Sequence, residues 1–425
     1  MTTATTARRT AVRRAAAALA VSAVFGVAAA PAATAAPAST TPPPSAAPLP
    51  SGLFGTSDPA YDGVWRQSLA LLAQDTAGLT PAGKAVDWLT AQQCADGAFP
   101  SYRADVSRPC DAKVLRDSNA TAAAVQALTA TGGAERSVTK AVGWLKSVQN
   151  ADGGWSYNPG GASDANSTSV VIGALVAAGA KPEAVTSAKG GKSPYDALLT
   201  FARPCGGADG GAFVYQPRMP GAIGDSTAAA VTAAHGLGLA PKAGTATGAG
   251  TAAAGCDKAA KDLKGAAGNG AAYLTAATAK SGHLLTAPMP GAEDSAPKPD
   301  FGNTADAVVA LAVQGRTEQA RKSLTWLEGN AAAWAKQSGP AAYAQLIFAA
   351  RAAGGDPKDF GGTDLVAALT ATGPTPEPSA SASGDEKKKE EKKDSGPNMW
   401  WIVGAFFAAS AGAGFLFSGR RKPRS

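Results

Sequence analysis

The feature that most constrains this chain is an internal repeat, because a unit of this size cannot bury its own apolar face and must stack against its neighbours. One unit joins an aromatic-bearing helix to a Gly-rich loop. Ala85-Val86-Asp87-Trp88-Leu89 is followed by Gln92-Gln93 and Asp96-Gly97-Ala98-Phe99; Ala141-Val142-Gly143-Trp144-Leu145 is followed by Gln149 and Asp152-Gly153-Gly154-Trp155. The step is about 56 residues. A weaker third copy puts Phe201 in the helix and Asp209-Gly210-Gly211-Ala212-Phe213-Val214-Tyr215 in the loop.

A second unit lies between these copies and opens with a polar cluster: Asp117-Ser118-Asn119-Ala120-Thr121, Asp164-Ala165-Asn166-Ser167-Thr168, Asp225-Ser226-Thr227, then Asn303-Thr304. Each precedes an Ala/Val/Leu run that stops near Gly. Asp, Asn, Ser and Thr accept hydrogen bonds from the free N–H groups of a first turn, so the clusters read as helix N-caps. Aligning Thr121, Thr168, Thr227 and Thr304 puts Val125, Ile172, Val231 and Val308 one turn later on one face. Further helices are expected around 61–72, 323–336, 341–353 and 363–371, giving ten to twelve in alternating pairs. The stretch 236–270 is so rich in Gly, Ala and Thr that it reads as a long loop stapled by a disulfide, and no run of alternating strands is visible. With 45% hydrophobic but only 6% aromatic residues, the core must be mainly Ala, Leu and Val, which suits close-packed helices.

The two ends read as targeting segments. Arg8, Arg9, Arg13 and Arg14 precede an apolar run and the small residues Ala33-Thr34-Ala35-Ala36, the order of a secretory signal peptide over 1–36. Residues 37–57 form a Pro/Ala/Ser linker, 58–372 the repeat domain and 373–398 a charged stalk. Residues 399–418 are apolar and uncharged, long enough to span a bilayer, and the basic tail 419–425 marks the cytoplasmic side. The chain is then exported and membrane-anchored with its repeat domain outside. Of the +7 net charge, the four arginines at the start and Arg420, Arg421, Lys422 and Arg424 account for more than all, so the domain is near neutral and nothing points to nucleic acid. Four cysteines in an oxidising compartment imply two disulfides; local pairing gives Cys94–Cys110 and Cys205–Cys256, one of three connectivities.

The run W-L-x-x-x-Q-x-x-D-G-G-W from Trp144 to Trp155 resembles the signature of prenyltransferase and squalene oxidase repeats. That resemblance implies an all-α, α/α-toroid fold, two concentric rings of helices with a cavity at the mouth of the inner ring. The Trp88 and Trp144 helices would be outer and those opening at Asp117, Asp164, Asp225 and Asn303 inner. The chemistry of the catalytic members is not matched: no D-x-D-D acid occurs, and with only His235 and His283 there is no Asp/Cys/His zinc set, nor a Gly-Cys-Gly-Glu-Gln thioester. His235, in an Ala-rich helix, reads as a packing residue. Gly224-Asp225-Ser226 and Ser137-Val138-Thr139-Lys140 resemble hydrolase motifs but fall on expected helix starts.

The non-enzymatic members similar to intrinsic factor and transcobalamin are nearest in setting, which makes cobalamin the candidate ligand. Their second, ligand-closing domain is missing from this sequence, so a separate chain would supply it. Inner-helix caps gathered at one end of the barrel would favour acceptor or anionic ligands. The expected site is therefore Asp117, Asn119, Asp164, Asn166, Asp225, Thr227 and Asn303, walled by Tyr102, Trp155, Tyr157, Phe213 and Tyr215 of the loops, with no catalytic or metal residue. Three functions follow: a surface receptor passing a cofactor-sized ligand to a membrane transporter, an envelope interaction module, or a cyclase-like enzyme, which would need an acid such as Asp164 or Asp225 in an apolar cavity.

Overall fold

Ala, Leu and Val runs ended by glycine fold here as helices whose small side chains let the layers approach closely. The computed structural model describes residues 50–219, 223–242, 244, 255–286 and 296–378. Among them are α1 Gly63–Thr76, α2 Gly83–Ala91, α3 Ser118–Thr131, α4 Glu135–Ser147, α5 Ala165–Ala177, α6 Pro194–Thr200 and α7 Ile223–Ala234. Then follow α8 Leu263–Ala279, α9 Phe301–Val313, α10 Thr317–Asn330, α11 Ala332–Ser338, α12 Pro340–Ala352 and α13 Leu365–Thr370. The strands β1 Leu284–Leu285 and β2 Pro299–Asp300 make one antiparallel pair.

Six helices close a ring: α1 packs on α3, α3 on α5, α5 on α7, α7 on α9, α9 on α12, and α12 returns to α1. Helices α2, α4, α6, α8, α10 and α13 pack outside them. The two-layered helical arrangement is compatible with an α/α-toroid. The ring helices run parallel, since equivalent levels meet: Asn166 near the start of α5 bonds Asp225 near the start of α7, and Gln345 of α12 bonds Asp306 of α9.

Two side-chain types explain why the repeat is written as it is. Each aligned threonine is fully buried and its Oγ1 accepts a backbone N–H from the loop before it: Phe99 N to Thr121 (2.8 Å), Trp155 N to Thr168 (3.1 Å), Phe213 N to Thr227 (3.0 Å) and Leu284 N to Thr304 (3.0 Å). Unpaired, each of these buried donors would cost about 1–3 kcal/mol. The glutamines tie each Gly loop to the next outer element. Gln93 Nε2 donates to Gly97 O and Ser137 O, both at 2.9 Å; Gln149 Nε2 donates to Gly153 O at 2.8 Å and Val185 O at 3.3 Å. Gly153 must be glycine: its φ is +91°, and a Cβ there would sit 2.2 Å from Ser193 O.

Both locally paired disulfides are present, Cys94–Cys110 and Cys205–Cys256. Other expectations need correction. The stretch 236–270 is not all loop: α8 starts at Leu263, capped by Asp262 accepting from Gly265 N at 2.7 Å, and its small residues let it lie close on α7, where a Cβ on Gly270 would meet Val231 Cγ2 at 2.8 Å. The single helix expected over 323–336 is two, α10 and α11, meeting at Ala331. Phe201 caps the short α6 instead of lying inside it. The count of α-helices among the described residues is thirteen, above the expected ten to twelve. The segments expected to be a signal peptide, 1–36, and a membrane span, 399–418, lie outside the described residues, within which no helix is long and apolar enough to cross a membrane.

Candidate functional site

The ring encloses a recess of about 210 Å³ to which every ring helix contributes. Helix α1 supplies Trp65 and Leu69, α12 supplies Phe348, and Val170 and Val309 complete the apolar walls. The polar lining comes from Asn119 on α3, Asn166 and Ser169 on α5, Asp225 on α7, Asp306 on α9 and Gln345 on α12. At the far end from the helix starts, the strap Leu237-Gly238-Leu239 follows α7 and crosses the recess. Leu239 N donates to Gln126 Oε1 at 2.8 Å, and a Cβ on Gly238 would lie 2.2 Å from that same oxygen, so a side chain there would displace the Gln126 amide.

The sequence alignment explains which polar residues arrive here. Asn119, Asn166 and Asp225 each lie two residues before an aligned threonine, and that register turns them toward the ring axis. Asn166 is bound on both sides: its Nδ2 donates to Asp225 Oδ1 and its Oδ1 accepts from Ser226 Oγ at 2.8 Å. Asn119 Oδ1 and Ser169 Oγ are buried without a hydrogen-bond partner. Among the described residues no Lys, Arg or His lines the recess. Among the described residues no group of three or more His, Cys, Asp or Glu could hold a metal ion.

The two carboxyls are held above their ordinary range. Burial raises Asp225, and Asp300 and Asp164 add to this electrostatically against the lowering hydrogen bond from Asn166. Asp306 is pushed up to about 7, first by burial, then by the charge of Asp225 and more weakly Asp300, with the bond from Gln345 Nε2 (3.3 and 3.4 Å) opposing. Asp306 retains some accessible surface and lines the recess.

The other expected site residues sit elsewhere. Asp117 and Asp164 are buried N-caps: Asp117 accepts from Asn119 N and Ala120 N (2.8 and 2.9 Å), Asp164 from Ser167 N (2.7 Å). Their remaining capacity is met by Ser101 and Tyr157 for Asp117 and by Ser167 and Tyr215 for Asp164. Burial and the neighbouring aspartate push both tyrosines up to about 12, so they stay protonated as donors. Asp225 is the third residue of α7, not a cap, and Asn303 is the third of α9, where the cap is Asp300, which accepts from Asn303 N (3.1 Å) and Nδ2 (2.7 Å). Thr227, Trp155 and Phe213 are core residues, with Trp155 Nε1 donating to Leu145 O at 2.7 Å, so none walls a ligand site. Tyr102 is half-buried against Trp88, ring centroids 6.4 Å apart. His235 packs with its Nε2 2.7 Å from Gln314 Oε1.

Asp306, Gln345, Trp65 and Ser169 were absent from the sequence-derived site. Asp306 had a visible signal: it is the lone charge in an otherwise apolar run from Ala305 to Val313.

Among the described residues, the exposed large hydrophobic side chains are Tyr61, Val106, Leu115, Tyr157, Met219 and Leu285, and all lie in the connections leading into ring helices. Each of these connections runs to the end of the ring where its helix starts. The described chain leaves at the opposite end, where Glu377 N donates to Thr80 O at 2.9 Å in the turn between α1 and α2.

No family model and no curated protein matches this chain. Among solved structures, a protein from Actinoplanes aligns with 15% identity and a TM-score of 0.46, over 72% of this chain and 94% of that one. A glycosidase aligns with 14% identity and a TM-score of 0.42, over 71% of this chain and 88% of that one.

Proposed function

We propose that this chain is an exported α/α-toroid protein of the prenyltransferase/squalene-oxidase repeat type, anchored through residues 399–418, that holds a small organic molecule in its central recess for a partner docking on its exposed apolar side chains. The observation that carries this reading is the convergence of all six ring helices on one recess whose polar groups are not all satisfied by the protein itself. Two disulfides fit an oxidising, extracellular setting. The exposed hydrophobic side chains in the connections to the ring-helix starts offer a second chain apolar surface to dock on.

At about 210 Å³ the recess is smaller than the roughly 300–1,000 Å³ of pockets for drug-sized ligands. A corrinoid would not enter it whole and would have to lie across the exposed Tyr61, Leu115, Tyr157 and Met219 under a closing chain. The test is a thermal-shift screen of the full-length protein against small amphipathic molecules and, separately, corrinoids. Stabilisation by the former, weakened in Asp306→Asn, supports the recess; stabilisation by corrinoids alone, untouched by that change, moves the site to those exposed side chains.

Asp306 favours a second reading. A carboxyl held near 7 in a mostly apolar enclosure is protonated when a general acid must be, so the recess meets the requirement of an enzyme that protonates an unsaturated or ether substrate. Turnover of a bound ligand, abolished in Asp306→Asn while binding persists, would establish it.

A further inference from the structure

The recess has a charge pattern that selects among ligands. Its titratable groups are Asp225 on α7 and Asp306 on α9, with Asp300 and Asp164 at the starts of α9 and α5 acting on them electrostatically; α1, α3 and α12 present Trp65, Asn119 and Gln345. Every charge of the described residues that acts on the pair is negative. Carboxylates removed from water and left facing each other are costly unless a positive group or a proton joins them. Independently, Ser169 is 5% exposed and its Oγ has no partner, and Asn119 Oδ1 is likewise an acceptor with no donor; both line the same recess. The polar side thus offers acceptors in excess, and the opposite side offers the rings of Trp65 and Phe348.

We infer that the recess binds an organic cation, a protonated amine on a compact apolar body, with its N–H donors on Asp225 and Asp306 and on one of the unpartnered acceptors Ser169 and Asn119, and its hydrocarbon against Trp65 and Phe348. An ammonium brings up to three donors and the missing charge. It also gains from aromatic faces in a desolvated site. A neutral alcohol of the same shape fills the same space but neutralises neither carboxylate. An anion is excluded by the same pair, which reverses the preference for anionic ligands expected from helix N-termini alone. This inference rests on the recess being a ligand site and assigns the class of ligand it takes.

The experiment is titration calorimetry of full-length protein at pH 8 with cyclohexylmethylamine and cyclohexylmethanol, on the unaltered chain, Asp225→Asn and Asp306→Asn. The expected result is amine bound at least tenfold more tightly than alcohol, with the preference shrinking severalfold in each variant while alcohol affinity holds. Lowering the pH to 5 should shrink the preference severalfold in the unaltered chain, as Asp306→Asn does, because Asp306 then carries a proton. Equal binding of the two, tighter alcohol binding, or a preference unchanged in both variants overturns the cationic ligand but leaves a ligand-binding recess. Heat from neither molecule overturns both.

Discussion

Asp306→Asn is expected to stabilise the protein at neutral and alkaline pH, and to do so by an amount that grows with pH. The carboxyl has an ordinary value of 3.8 and a folded value of about 7. Between those values the folded state keeps a proton that the unfolded state has released. Stability is therefore untouched below pH 3.8 and falls as pH rises through the window, to a total of roughly 4 kcal/mol above pH 7. From pH 5 to pH 8 the loss is about 2–3 kcal/mol. Asparagine removes this dependence while keeping a polar group beside Gln345. Asp225, Asp117 and Asp164 are raised too and contribute their own slope, so the informative quantity is the difference between the two proteins. Urea unfolding followed by tryptophan fluorescence at pH 5, 6, 7 and 8 measures it. Parallel stability curves for the two proteins would refute the reasoning, since they would mean that Asp306 ionises as freely in the recess as in water.

Three other outcomes follow from the repeat. Thr168→Val strands the buried Trp155 N–H and should cost about 1–3 kcal/mol, whereas Thr168→Ser, which keeps the acceptor and loses one methyl, should cost only about 1 kcal/mol; equal losses in urea unfolding would show that packing and not the hydrogen bond matters there. Gly153→Ala should destabilise by roughly 2–4 kcal/mol through its positive φ and the close approach to Ser193 O, while the same change at the open Gly143 should be near neutral or stabilising. Replacing both cysteines of Cys205–Cys256, which spans 51 residues, should cost about 4 kcal/mol on chain-entropy grounds, about 1 kcal/mol more than replacing both of Cys94–Cys110, which spans 16; the reverse order of unfolding midpoints would contradict it.

The repeat was legible because its residues do the same physical work in each copy. The aligned threonines hold the loops, the Gln93 and Gln149 positions clamp the glycines, and the Trp88 and Trp144 helices lie outside the ring. The site was only partly legible, and the reason is local. An aspartate before a helix looks the same whether it caps or faces a cavity, and two residues of register decide which. Asp117 and Asp164 fall on the cap, and Asn119, Asn166 and Asp225 fall on the axis. In the α7 copy the position equivalent to Asp117 and Asp164 is Ile223, the first residue of the helix, so Asp225 was read into a role its register denies it. Trp155 and Phe213 were misplaced because a Gly-rich loop suggests exposure; here the glycines bring the loop down onto the core and take the aromatics inside. Helix α8 was hidden by its glycines, which normally weaken helices but at Gly270 permit the contact with Val231.

The central claim is that the recess inside the ring is where this protein binds its ligand. Ala229 lines that recess on α7, and leucine there fills the space with apolar volume while leaving every hydrogen bond of the polar side in place. Titration of the full-length protein and of Ala229→Leu with the best ligand from the thermal-shift screen is the direct measurement. Affinity reduced at least tenfold in Ala229→Leu, with the variant folded by circular dichroism, is the predicted result; affinity unchanged in a folded Ala229→Leu would contradict the account and place binding outside the ring.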